Sequence, residues 1–251
     1  MIKNLLTLIS KTLTSFPKLK KIINFLYDKI YGLPTVNNSE ISENLIRNLV
    51  NKKNPIILEI GCNDGTHTNW IFNIFDQPKI YCFEPDPRAI KRFNDVVKNK
   101  TDIKLYQLAL SNKNGEIDFY KSSGNNDGLT FQDGWDLSGS IRKPKYHLVL
   151  CPTVTFDNTI KVKSKTLDSW YEENEIEIID FIWMDVQGAE IDIFSGGQHA
   201  ISKTRYIYTE YSNIEMYEGQ KNLKYIVNYL KEFEIVERYQ SDVLLKNKLL
   251  Q

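Results

Sequence analysis

Three acidic residues stand where runs of aliphatic and aromatic residues stop: Glu84 after Lys79–Phe83, Asp185 after Ile178–Met184 and Glu210 after Arg205–Thr209. A fourth, Glu59, interrupts the run Ile56–Ile60 from inside, and Glu190 follows Asp185 by five positions. Removing a carboxylate from water is costly unless something donates to it. Acids repeated at the ends of buried strands therefore mark a place where hydroxyl or amine hydrogens, or a hard cation, are received. The run at 56–60 breaks into Gly61-Cys-Asn-Asp-Gly65. Two glycines at that spacing allow a tight turn, close backbone approach to a ligand, and a helix from Thr66 whose free N–H groups face the same spot.

Glu84 comes nineteen positions after Gly65, where a nucleotide-binding βαβ unit places the acid that accepts from ribose hydroxyls. A dinucleotide fingerprint in this register needs glycine at 61, 63 and 66, but Asn63 and Thr66 occupy two of these positions. A pyrophosphate is therefore a poor guest, and a ligand with one ribose and no phosphate, such as S-adenosylmethionine, fits better.

Those acids and turns need a scaffold. Ile56–Ile60, Lys79–Phe83, Ile103–Leu110, Ile178–Met184 and Arg205–Glu210 read as strands. Helices are expected over 39–51, 66–75, 88–98 and 222–231, with closing strands at 233–239 and 242–246. The alternation predicts an α/β Rossmann-like fold, with a mostly parallel seven-stranded sheet, an antiparallel last strand and helices on both faces. Ligands of such sheets sit beyond the carboxyl ends of the strands. Residues 115–166 break the rhythm: Glu116–Tyr120 and Tyr146–Leu150 read as strands around a polar, glycine-rich stretch, expected to form a substrate-facing insertion.

The 251 residues suffice for a real core, and the net charge of zero gives no field for nucleic acid. Cys62, Cys82 and Cys151 form no C-x-x-C pair, which suits a reducing, cytoplasmic setting without disulfides. No apolar stretch approaches the roughly 18 residues of a membrane span. Residues 1–35 carry six lysines against Asp28 as the lone acid, with apolar residues near helical spacing. The chain thus divides into a basic helical extension over 1–45 and a ligand-binding domain over 46–251. The extension suits contact with an anionic membrane surface or, as the favoured reading, packing on the core or on a second copy in a homo-oligomer.

Taken together, the chain resembles the FkbM family of S-adenosylmethionine-dependent methyltransferases. The resemblance rests on Glu59-Ile-Gly-Cys-Asn-Asp-Gly65, Phe83-Glu-Pro-Asp-Pro87, Ala109-Leu-Ser111, Thr166-Leu-Asp168, Met184-Asp-Val-Gln-Gly-Ala-Glu190 with Gly196-Gly197, and Glu210 followed by Tyr217-Glu-Gly-Gln220. Trp183 stands where the family has lysine, Gln187 where glutamate is frequent, and Cys62 where alanine is common. The resemblance implies methyl transfer to a sugar hydroxyl of a nucleotide-linked sugar, glycan or capsule precursor. It assigns Gly61, Asn63 and Gly65 to the methionine end of the cofactor, Glu84 to the ribose, and Ala109 with Leu110 to the adenine. Glu59, Cys62, Asp64, Pro85 and Asp185 complete that set.

An oxygen acceptor must be aligned with the methyl and lose a proton. Asp185, Glu190 and Glu210 are the catalytic candidates. Either Asp185 serves as base, or Asp185 and Glu210 hold a divalent cation such as Mg or Mn that acidifies the hydroxyl. Trp135, His147, Gln187 and Tyr217 are the substrate candidates, with His147 an alternative base. Two other readings stand beside this one: N-methylation of an amino sugar or small amine, and a non-catalytic cofactor-binding scaffold.

Overall fold

A computed structural model describes residues 28–29, 32–126 and 128–250. The expected helix within residues 1–35 lies almost wholly outside these. The first complete element is α1 (Glu43–Val50), whose N-terminus is capped by the Ser42 hydroxyl accepting from Leu45 N at 3.2 Å. It is shorter than expected because Ser42, not Ser39, is the cap.

The main sheet contains β1 (Ile56–Ile60), β2 (Lys79–Phe83), β3 (Ile103–Tyr106), β7 (Ile179–Met184), β8 (Thr204–Glu210), β9 (Phe233–Arg238) and β10 (Asp242–Asn247). Their order is β3-β2-β1-β7-β8-β10-β9, and β10 alone runs antiparallel to its neighbours. The order reverses between β1 and β7, which pair in parallel from Ile57–Phe181 to Ile60–Met184. This is the Rossmann-like arrangement expected from the alternating pattern. One face of the sheet packs Ile57, Ile80 and Phe181 against Ile46 of α1, Ile71 of α2 (Thr66–Ile74) and Phe93 of α3 (Pro87–Val96). The other packs Leu58, Ile182 and Ile207 against Trp170 of α5 (Leu167–Glu173), Ile193 of α6 (Glu190–Ser195), Ala200 of α7 (Gln198–Ser202) and Ile226 of α8 (Leu223–Tyr229).

Residues 103–110 do not form one strand. β3 ends at Tyr106, Leu108 N turns back onto Tyr106 O at 2.9 Å, and β4 (Ala109–Ser111) leaves for a second sheet. There it pairs with β6 (Val154–Thr166), which also runs antiparallel to β5 (Gly115–Gly124). The insertion is thus built on a long strand pair rather than on a loop. Tyr146–Leu150 is the second departure. His147–Leu150 is a single helical turn, α4, with Leu150 N on Tyr146 O and Cys151 N on His147 O. Its apolar run reads as a strand, yet Leu148, Val149 and Leu150 are exposed and have no strand beside them. No described helix is long and apolar enough to cross a membrane.

Candidate functional site

The carboxyl ends of β1, β2 and β7 meet around one cavity of about 170 Å³. β1 delivers Gly61, whose φ is +86° and whose absent Cβ would lie 1.8 Å from the Asp185 carbonyl oxygen. Only glycine lets the β1 turn pass so close to the end of β7. Gly61 N and Cys62 N both donate to Phe83 O, which ties the turn to β2. Asn63, with φ +42°, then presents its N–H to Glu84 Oε2 at 3.0 Å. Asp64 accepts from Thr66 N at 2.9 Å, and Gly65 caps α2 with φ +79° against the Phe93 ring.

Glu84 is buried, and Asp86 N donates to its other oxygen at 2.7 Å. Burial pushes its carboxyl up to about 8, against the pull of those two backbone donors and with help from the charges of Asp86 and Asp136. A carboxylate so placed gains from every further donor it meets. Pro85, Ala109 and Leu110 line the same cavity, with Leu108, Phe83 and Phe119 as apolar walls.

Beside the Gly61 turn Asp185 follows β7, its N–H held by Ile60 O at 3.0 Å. Gln187 Nε2 donates to Asp185 Oδ1 at 2.7 Å and to Glu210 Oε2 at 3.1 Å. The Tyr217 hydroxyl lies 2.8 Å from Ser138 O and 3.1 Å from Gln187 Oε1, and its hydrogen serves one at a time. Burial, then the charges of Asp185 and Glu190, raise the Glu210 carboxyl far above the ordinary range, and it shares a hydrogen bond with Asp185. Glu190 is buried at the start of α6, accepts from Gly188 N at 3.0 Å, and is pushed up to about 7, chiefly by burial. The three carboxylates expected on one rim do meet there, although the cavity lining itself includes only Asp185.

Other expected residues lie elsewhere. Glu59 points beneath the turn to His67 Nδ1 at 2.8 Å and does not line the cavity. Its side chain lies on the sheet face that carries α2, because alternate strand residues face opposite sides. Cys62 is buried with its thiol against Cys82, and burial keeps it protonated. Trp135 donates to Ser138 Oγ at 3.0 Å and stacks on Phe131, away from the cavity lining. His147 packs against Phe156 and Tyr217 behind the Tyr217 ring, and burial lowers its pKa, so it is neutral at pH 7. Trp183 lies between His67 and Tyr208. Among the described residues no group of three or more His, Cys, Asp or Glu side chains could hold a metal.

The insertion supplies what sequence reasoning missed. Asp136, Leu137, Gly139, Ser140 and Ile141 close the cavity, and Ser140 Oγ donates to Gln187 O at 2.8 Å. Asp136 is paired with Arg92 of α3, and Arg88 of α3 donates to Ser122 O and Asp133 O. No periodicity announces Asp136; only its apposition to Arg92, 44 positions away, gives it a role.

These residues fit S-adenosylmethionine. The cavity has apolar walls, a buried acid for a ribose diol, further carboxylates for a cationic sulfonium, and a glycine turn without the three-glycine pyrophosphate cradle. A comparison with solved structures finds a putative rRNA methylase from Clostridium thermocellum at 10% identity, TM-score 0.47, covering 85% of this chain and 98% of that one. It also finds N-methyltransferase NodS from Bradyrhizobium japonicum at 12% identity, TM-score 0.43, covering 82% and 93%. Among curated proteins, 2-O-methyltransferase NoeI of Sinorhizobium fredii is 45% identical over 209 residues, 82% of this chain and 84% of the relative. The Methyltransferase FkbM domain family matches residues 59–237, from the acid inside β1 to within β9. On that match and that identity, the chain belongs to the FkbM family of methyltransferases.

Proposed function

We propose that this enzyme transfers a methyl group from S-adenosylmethionine to a sugar hydroxyl, on a nucleotide-linked sugar or a glycan precursor. One observation carries the reading: Gly61, Glu84 and Asp185 line a single cavity, and Gln187, which lines it too, bridges Asp185 and Glu210. The 2-O activity in the relative's name supports an oxygen acceptor.

When bound, the cofactor supplies an electrophilic methyl on a sulfonium sulfur. An acceptor oxygen then needs alignment, and a place for its proton as positive charge builds on it. Glu210, protonated because of its burial, donates to Asp185 and leaves the pair with one proton between two carboxyl groups. The Asp185 oxygen facing the cavity receives the acceptor's hydroxyl hydrogen. Gln187 fixes the pair, and Tyr217 fixes Gln187. An aspartate is a weak base for a free alcohol. It suffices here because the proton is surrendered late, once the oxygen is already bonding to carbon.

The Gln187 amide nitrogen donates to both carboxylates and so fills the place between them that a cation would need. This favours the proton-accepting pair over a divalent cation.

The test is mass spectrometry of a sugar-nucleotide and glycan panel for the gain of one methyl, with hydroxyl and amine acceptors side by side. Asp185→Asn should lower kcat by about 10²–10⁴-fold while the affinity for S-adenosylhomocysteine changes little. Full activity in excess EDTA is expected. Loss restored by Mg or Mn would replace the proton-accepting pair with the cation, and methylation confined to amines would refute oxygen transfer.

A further inference from the structure

Gln187 stands in left-handed backbone, with φ +51°, and its side-chain amide bridges Asp185 and Glu210. Left to itself a glutamine does neither: that backbone region strains a residue with a Cβ, and aiming the amide freezes every torsion of a long side chain. Such a residue keeps its place only where its surroundings overdetermine it. Two neighbours do so here. Ser140 Oγ donates to the Gln187 carbonyl at 2.8 Å, and the Tyr217 hydroxyl lies 3.1 Å from its Oε1.

Both neighbours lead to Arg142. Its backbone N–H donates to Ser140 Oγ at 3.0 Å, which leaves that hydroxyl's own hydrogen for Gln187. Its Nη1 donates to the carbonyl of Glu218, the residue after Tyr217, at 2.7 Å. Nε and Nη2 grip the two oxygens of Asp192 on α6 at 2.7 and 2.9 Å. A Cβ on Gly219 would come within 2.3 Å of Nη1, so the loop after Tyr217 is shaped around the guanidinium. A planar fork serves a carboxylate and a carbonyl in two directions at once, which a lysine ammonium cannot match.

Resting on the methyl-transfer reading above, we infer that Arg142 is a positioning residue for the proton-accepting pair: it docks the insertion onto α6 and the Tyr217 loop, and so holds the Gln187 amide between Asp185 and Glu210. Arg142 does not line the cavity, so its effect on the reaction passes through the residues it holds.

The test is NMR of ligand-free protein carrying isotope-labelled glutamine. The Gln187 side-chain signal is assigned by its loss in Gln187→Ala. In Arg142→Lys and Arg142→Gln its hydrogens should exchange with water roughly tenfold faster than in wild type. Lys145→Ala breaks the Lys145–Glu215 ion pair on the same stretch of the insertion and should leave that exchange within about twofold. An unchanged Gln187 signal in both Arg142 variants, or an equal change in Lys145→Ala, overturns the inference. Should neither Arg142 variant fold, Asp192→Asn loosens the same fork from its other side. Faster exchange in that variant supports the inference, and no change refutes it. On the sugar panel, Arg142→Lys should lower kcat about tenfold, keep KM for S-adenosylmethionine within about twofold, and cost nothing further in a Gln187→Ala background. Additive losses overturn action through Gln187. Wild-type protein that methylates no member of the panel refutes the methyl-transfer reading, while the amide signal still decides whether Arg142 positions Gln187.

Discussion

Glu84, proposed here to receive the ribose hydroxyls, makes a prediction that needs no knowledge of the acceptor. Glu84 begins from an ordinary glutamate value of 4.5, and burial raises it to about 8 in the ligand-free protein. Both its oxygens already accept backbone N–H groups, so donation from a ribose diol adds donors to the ionised form and favours it. Binding therefore selects the carboxylate and releases a proton. At pH 7 a group with a pKa near 8 is ionised about one time in ten, so affinity should be about tenfold below its plateau. Below that pH the dissociation constant should worsen tenfold per unit, and above about pH 9 it should level off. The clean probe is 5′-methylthioadenosine, which carries no group that titrates between about pH 6 and 10. Calorimetry in buffers of different ionisation enthalpy should count close to one proton released at pH 7. Glu84→Gln should bind weakly with a flat profile. A dissociation constant constant from pH 6 to 9, with heats independent of buffer, would refute the burial of this charge or its role at the ribose.

Two further outcomes follow from the same site. Gly61→Ala should cost about 2–6 kcal/mol in urea unfolding, from left-handed backbone strain plus collision with the Asp185 carbonyl. Gly65→Ala, whose Cβ would meet only the Phe93 ring at 2.8 Å, should cost less, and the reverse order would contradict the packing of β1 on β7. Glu190, raised from 4.5 to about 7, binds more protons folded than unfolded, so its contribution is intact below about pH 4.5 and is lost as pH rises through 7. Glu190→Gln should thus gain about 3 kcal/mol relative to wild type between pH 4.5 and 8 in urea melts. No relative gain would show that Glu190 is not buried as a carboxyl group.

Legibility followed the range of the forces involved. The strands β1, β2, β7 and β8 could be read because burial on both faces demands unbroken aliphatics, and their acidic ends stood out against that background. The glycines of the first turn were equally plain, since positive φ and a missing Cβ leave few alternatives. What escaped notice was decided between distant parts of the chain. Leu108 turns back on Tyr106 within a run that looks continuous, and only the partner strand β6 explains why β4 leaves the sheet. His147 and its apolar neighbours mimic a strand, but no strand is available to pair with them. Trp135 and His147 were chosen for their chemistry, and packing turned both inward onto protein partners.

Asp136 was the most consequential miss, and its case is instructive. In sequence it is one polar residue among many in residues 122–140. Its place is set only by Arg92, which takes one of its oxygens, while the other is buried without a hydrogen-bond partner. The acids at the strand ends are legible from their position along the chain, whereas the acid on the insertion is placed only by its ion pair with Arg92 across the fold.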